Sequence, residues 1–269
     1  MILNWTKQTA LILALLFILG TISAFALDTN DVVPVPTEDG IVMSRPEFID
    51  VKTEVADESS EPVGRLSGLI IGIDAGHQGV GNNEHEPIAP GSSKTKPKVS
   101  SGTSGVNSKT PEHVINLEVS LQLRDALESE GATVLMVRET ADIDISNIER
   151  AVMMNEAGAD LVLRIHCNGA DRSAKGAQLF IRKTGACTQE SLDAAAVLIE
   201  AMVKETGARN RGITQNDTYT GLNWSEVPSI LVEMGFLSNP EEDALLNDPA
   251  YQAKLVKGMV EGIAAYFMR

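Results

Sequence analysis

From about Leu66 onward the chain alternates between short solid apolar runs and longer stretches in which apolar residues recur every three or four positions. The runs 69–74 (LIIGID), 133–138 (TVLMVR), 161–166 (LVLRIH), 177–182 (AQLFIR) and 229–233 (SILVE) have the length and composition of buried strands. The helical period holds over 111–130, 145–157, 188–206 and 250–267. Strands alternating with helices predict one α/β domain, a mostly parallel twisted sheet of about six strands with helices on both faces. No helical pattern separates 166 from 177, which leaves room for one antiparallel neighbour.

The helix over 111–130 is well signalled, with Thr110 placed to cap it, Pro111 suited to its first position and Gly131 to close it. Its apolar stripe is Ile115, Val119, Leu123, Ala126 and Leu127. Glu112 falls on the same face at 100° per residue, so its carboxylate is expected to point toward the sheet. The preceding loop, Gln78 to Thr110, is 33 residues long and carries Lys94, Lys96, Lys98 and Lys109. That basic cluster either meets carboxylates of a substrate or is solvated. Between Gly207 and Pro228 the pattern reads as loop, with Arg211 and Trp224 in it; Trp224 either stacks on a sugar or packs in the core. Gly235 to Pro240 reads as a turn into a helix capped by Asn239, with Phe236 and Leu237 packed beneath it.

The first 65 residues differ in kind. Met1 to Ala26 has a single charge, Lys7, ahead of an apolar run closing on Ala24-Phe25-Ala26, the pattern of a secretory signal peptide cut after Ala26. An uncleaved anchor is the alternative, and either reading places the rest outside the cytoplasmic membrane. Residues 27–65 are an acidic, Pro-containing spacer, in which 46–55 has the pattern of a short edge strand; residues 66–269 are expected to form the catalytic domain. No second apolar run is long enough to span a bilayer, so no stable membrane insertion is expected after cleavage. The net charge of −15 becomes −16 once the leader and Lys7 are removed, a balance that disfavours nucleic acid. A domain of this size buries its own core without a disulfide, so Cys167 and Cys187 are expected as free, buried thiols.

Three of the strand-like runs end on a residue that binds metal or carries a proton: His77 just after the first, His166 and Glu233. The crevice beyond the carboxyl ends of strands in an open α/β sheet is where ligands bind, so these side chains can converge there. Adding Glu112 gives two imidazoles and one carboxylate, a set that leaves zinc an open fourth position for water. His85, His113, Glu84 and Glu86 are competing ligands by spacing, although His113 points about 100° away from Glu112 around the helix. Glu233 also has a structural reading, as a carboxylate held by a buried Arg138 or Arg150.

The motifs IDAGH (73–77), PEHVINLEVSLQL (111–123) with VLMVRET, ADLVLRIHCNGA (159–170) and PSILVEMGFLSNPEED (228–243) resemble the zinc-dependent N-acetylmuramoyl-L-alanine amidases of bacterial cell-wall turnover. The resemblance spans about Leu69 to Phe267 and implies zinc held by His77, Glu112 and His166, with Glu233 as the catalytic carboxylate and peptidoglycan as substrate. It departs from the common pattern at Ala75, where members usually have Pro, and at Cys167, where they usually have Ala; neither departure removes a ligand. A zinc peptidase acting on stem peptides and a catalytically silent wall-binding protein are the rival readings.

Overall fold

Solid apolar strands flanked by amphipathic helices can bury both sheet faces only by layering, and the computed structural model, which describes residues 64–269, has that arrangement. The expected leader (1–26) and all but the end of the spacer lie outside the described residues. Six strands form the main sheet: β1 (Ile70–Ala75), β4 (Thr133–Met136), β5 (Leu161–Asn168), β6 (Ala177–Arg182), β7 (Asn210–Asn216) and β8 (Ser229–Phe236), in the order β4-β1-β5-β8-β6-β7. β4, β1, β5 and β8 run parallel; β6 is antiparallel to β8 and parallel to β7. The reversal anticipated after 166 therefore involves two strands, and β6 pairs with β8 instead of with β5.

Strand alternation sorts the two faces. Ile71 and Ile73 of β1, Leu161, Leu163 and Ile165 of β5, and Ile230, Val232 and Met234 of β8 point into the larger core. There they meet three long helices, α1 (Glu112–Ser129), α3 (Thr188–Thr206) and α6 (Pro249–Phe267). The opposite face carries α2 (Asn147–Glu156), the short α4 (Thr220–Asn223) and two smaller clusters around Val162 and Leu231. That face also receives Asp74, Arg164, His166 and Glu233, because they sit at the alternate strand positions. One more short helix, α5 (Pro240–Leu246), follows β8, and Asn239 caps it by accepting from the Glu241 and Glu242 amides. Phe236 and Leu237 are buried, as expected.

Several local expectations need revision. The cap of α1 is Pro111 itself in extended conformation, not Thr110, and no side chain caps the helix; instead the Glu112 amide donates to the Thr103 carbonyl (2.9 Å). Inside the long 78–110 loop lies a two-stranded hairpin, β2 (Asn82–Pro87) with β3 (Thr95–Val99). It is tied down by Asn147 donating to the Lys98 carbonyl (2.6 Å) and Asn223 to the Ile88 carbonyl (2.9 Å). The 207–228 region contains β7 and α4. Trp224 is half-buried, its indole donating to the Pro87 carbonyl (3.0 Å). Both cysteines are free; Cys167 is buried, whereas Cys187 is half-buried. No helix among the described residues is long and apolar enough to cross a membrane.

Candidate active site

The β1 strand ends at Ala75, and His77 follows on a left-handed backbone (φ 61°), a conformation that costs a residue other than Gly about 1 kcal/mol or more and is characteristic of functional turns. The turn is held from beneath by two buried arginines. Arg138 donates to the carbonyls of Ala75 (2.7 Å), Gly76 (3.0 Å) and His113 (2.8 Å). Arg150 donates to the His77 carbonyl (3.1 Å), the Gln78 side chain (3.0 Å) and Asp74 (2.6 Å). Neither guanidinium reaches Glu233, so the structural reading of that carboxylate is not supported. Gly76 is required because a Cβ there would lie 2.3–2.6 Å from the His166 ring.

Around this turn His77, Glu112 and His166 come together, with ligand atoms all within 4.8 Å of one another. Glu112 Oε1 lies 3.2 Å from His77 Nε2 and 3.1 Å from His166 Nδ1. Donors of one tetrahedral ion with bonds of about 2.0–2.1 Å stand about 3.3 Å apart, so the two distances from Glu112 and the donor set fit a zinc-sized cation. His77 Nδ1–H donates to the Ser100 carbonyl (2.7 Å), which leaves Nε2 free to ligate. Glu112 is held by the Thr103 amide (2.9 Å), the Cys167 amide (3.0 Å) and Asn116 Nδ2 (3.2 Å). Ser100, Thr103 and Asn116 were not legible from the sequence, since Ser100 and Thr103 act chiefly through backbone groups.

The electrostatics separate the members. Burial alone would raise the pKa of Glu112, but the two imidazoles outweigh it and hold the carboxyl far below its usual range. Burial pushes His77 down, yet its contacts with Glu112 leave it raised. His166 is lowered, chiefly by burial. Glu233, in register with His166 across the β5–β8 pair, is 7% exposed and its Oε2 has no hydrogen-bond partner. Burial, with Glu112 nearby, pushes its pKa well above the ordinary carboxylate value.

All four residues line one cleft of about 730 Å³. The competing ligands are elsewhere. His85 bonds Thr95 Oγ1 (3.0 Å) within the hairpin, Glu84 pairs with Lys98 (2.8 Å), and Glu86 is buried against the first turn of α2 through the Ile148 amide (3.3 Å). His113 is absent from the cleft lining. Of the basic loop residues, Lys96 lines the cleft, whereas Lys109 turns back to the Val106 carbonyl (2.8 Å).

A cleft at the carboxyl ends of parallel strands, with a His-Glu-His cluster and an adjacent buried, partnerless carboxylate, has the form of a hydrolase site. A family model described as N-acetylmuramoyl-L-alanine amidase matches residues 71–265, and the chain belongs to that family, whose reaction is hydrolysis of the amide joining N-acetylmuramic acid to L-alanine in peptidoglycan. It is 28% identical over 227 residues to an N-acetylmuramoyl-L-alanine amidase of Mycobacterium tuberculosis, covering 80% of this chain and 92% of the relative. It is 29% identical to the germination-specific N-acetylmuramoyl-L-alanine amidase of Bacillus subtilis, covering 75% and 81%. The crystal structure of an N-acetylmuramyl-L-alanine amidase from Mycobacterium smegmatis superposes with a TM-score of 0.70 at 27% identity, covering 76% of this chain and 98% of that one.

Proposed function

We propose that the chain performs the amidase reaction with one zinc ion held by His77, Glu112 and His166, and with Glu233 as the proton carrier. The observation that carries this reading is the orphaned Glu233 carboxylate, buried in the same cleft as the three ligands. A buried charged group without a partner is costly, so its retention points to a role in chemistry.

Zinc, when bound, lowers the pKa of water toward about 7 and polarises a carbonyl. Glu233 takes the proton of the attacking water and delivers it to the leaving amine of L-alanine, allowing the amine to depart uncharged. Its raised proton affinity suits the delivery half of that cycle. Asn116 and the Thr103 and Cys167 amides hold Glu112 in one orientation through both halves. The ring of His77 keeps its tautomer through the Ser100 carbonyl.

We further assign residues 1–26 as a cleaved leader, 27–65 as a spacer and 66–269 as the catalytic domain, acting at the cell wall outside the cytoplasmic membrane, without nucleic acid partners. Mass spectrometry of peptidoglycan digested with the zinc-loaded chain tests the reaction. Free stem peptides beginning at L-alanine are expected, and they disappear with chelator or in Glu233→Ala. Cleavage within the peptide would instead identify a peptidase, and a folded, loaded chain with no product would identify a wall-binding protein.

A further inference from the structure

The cleft floor is not uniform. Its upper end holds His166 and Glu233; two residues earlier on the same face lie Arg164 and its register partner Leu231. At the strand rise this is about 7 Å. Arg164 is 3% exposed, donates through Nη1 to Asp74 Oδ2 (2.6 Å) and has a buried Nε with no partner. Asp74 is already shared, since Arg150 donates to its other oxygen (2.6 Å). Two guanidiniums thus share one carboxylate, and Arg164, which lines the cleft, is left with donor capacity that the protein does not fill. Room for the Arg164 head exists only because residue 221 is Gly, where a Cβ would lie 2.2 Å from Nη1.

A second cation faces the same space. Lys96 projects from β3 to the cleft wall, where its ammonium donates to the Thr218 carbonyl (2.7 Å) and lies 5.9 Å from the centre of the Tyr219 ring. Among the described residues it pairs with no carboxylate, although the protein is strongly acidic and Lys98 on the same strand does find one. Two cations lining one cleft, one with an unfilled donor and the other without a carboxylate partner, favour an anion, and the guanidinium supplies directional donors for a carboxylate.

Resting on the amidase reading, we propose that Lys96 and Arg164 form a subsite for the free carboxylate of the second residue of the stem peptide, so that the enzyme discriminates against peptides amidated at that carboxyl. That residue is a γ-linked glutamate whose α-carboxyl is either free or amidated. Two extended residues reach about 7 Å from the scissile carbonyl, which matches the offset between His166 and Arg164. A carboxamide in this place brings an N–H against two cations and loses the charge attraction.

The test is calorimetric titration of the full chain with L-alanyl-γ-D-glutamate and with L-alanyl-D-isoglutamine, beside amidase assays on muropeptides of both kinds. Wild type is expected to bind the acid about tenfold more tightly than the amide and to show the same preference in kcat/KM. Lys96→Met, an exposed change, is expected to reduce the preference to about twofold, and Lys96→Glu to abolish or reverse it. Arg164→Lys, checked for folding by its thermal melt, is expected to weaken binding of the acid alone. Equal affinity for the two dipeptides in wild type, or a preference that survives both Lys96 variants, overturns the subsite whatever the assay yields. An intact preference in binding without any muropeptide product overturns the amidase reading and leaves the carboxylate site standing.

Discussion

β1 and β8 each bury a carboxylate on the same face of the same sheet, and the two are treated in opposite ways. Asp74 accepts from Arg150 and Arg164, each at 2.6 Å. Burial acts to raise its pKa, but the two guanidiniums overcome that and hold it at about 2. Glu233 has no cation, one oxygen without a partner and a pKa pushed well up by burial. Asp74 is therefore an anchor that keeps its charge, whereas Glu233 has no partner to hold its charge and binds a proton more tightly than an ordinary carboxylate. Equal burial teaches little by itself; the partners decide whether a carboxylate keeps its charge or tightens its hold on a proton.

Removing each carboxylate breaks the comparison most sharply. Glu233→Gln is expected to lower the rate of muropeptide release by at least about 10³-fold, with stability unchanged or increased, because a costly buried group is replaced by a neutral one. Stability here is read from the urea midpoint. Asp74→Asn is expected to have the opposite profile, costing about 3 kcal/mol in the same urea titration because two buried guanidiniums lose their counter-charge. If Asp74→Asn leaves stability intact, the ion pairs contribute nothing net, and Arg150 is held by the Ile145, Ala75 and His77 carbonyls and Gln78.

The titration of Asp74 sharpens the same contrast. Its folded pKa of about 2 lies below the ordinary 3.8, so the native form binds its proton more weakly than the unfolded chain does. The resulting stabilisation, about 2 kcal/mol, is present above about pH 4 and lost as pH falls toward 2. Unfolding midpoints measured across that window should fall for wild type and stay flatter for Asp74→Asn. The smallest effect reaches Asp74 indirectly. Ser146 caps the helix that carries Arg150, accepting from the Glu149 amide (3.2 Å) while Glu149 accepts from the Ser146 amide (2.8 Å). Ser146→Ala should cost about 1 kcal/mol in thermal or urea unfolding, with the amidase rate unaffected.

Much of this was readable in advance, and the reasons are physical. β1, β5 and β8 are buried on both faces, so they appear as unbroken apolar runs, and the polar residues that end or interrupt them stand out as candidates. That is why His77, His166 and Glu233 were visible. Glu112 was visible because its helix has a clean stripe, with Ile115, Val119 and Leu123 fully buried one face along from it. The hairpin β2–β3 was not, since NNEHEP and TKPKV hold together through backbone pairing and side-chain ties to α2 and α4 without an apolar period. β7 (NRGITQN) was missed for a related reason: as the outermost strand it is mostly polar and partly exposed. The Asp74 cluster was hidden because its arginines come from elements 76 and 90 positions away, and no local pattern announces a pairing of that range.

The strand order has a consequence for how the chain is made. β8, the last strand synthesised, lies between β5 and β6 near the middle of the sheet. Until it emerges, β4-β1-β5 and β6-β7 are separate pieces with open edges, unable to join into one sheet and prone to pairing with other chains. A product truncated before Ser229 should therefore aggregate instead of accumulating as a half-formed enzyme. Because β8 also brings Glu233, the carboxylate proposed above as the proton carrier joins the cleft in the same step that joins the two halves of the sheet.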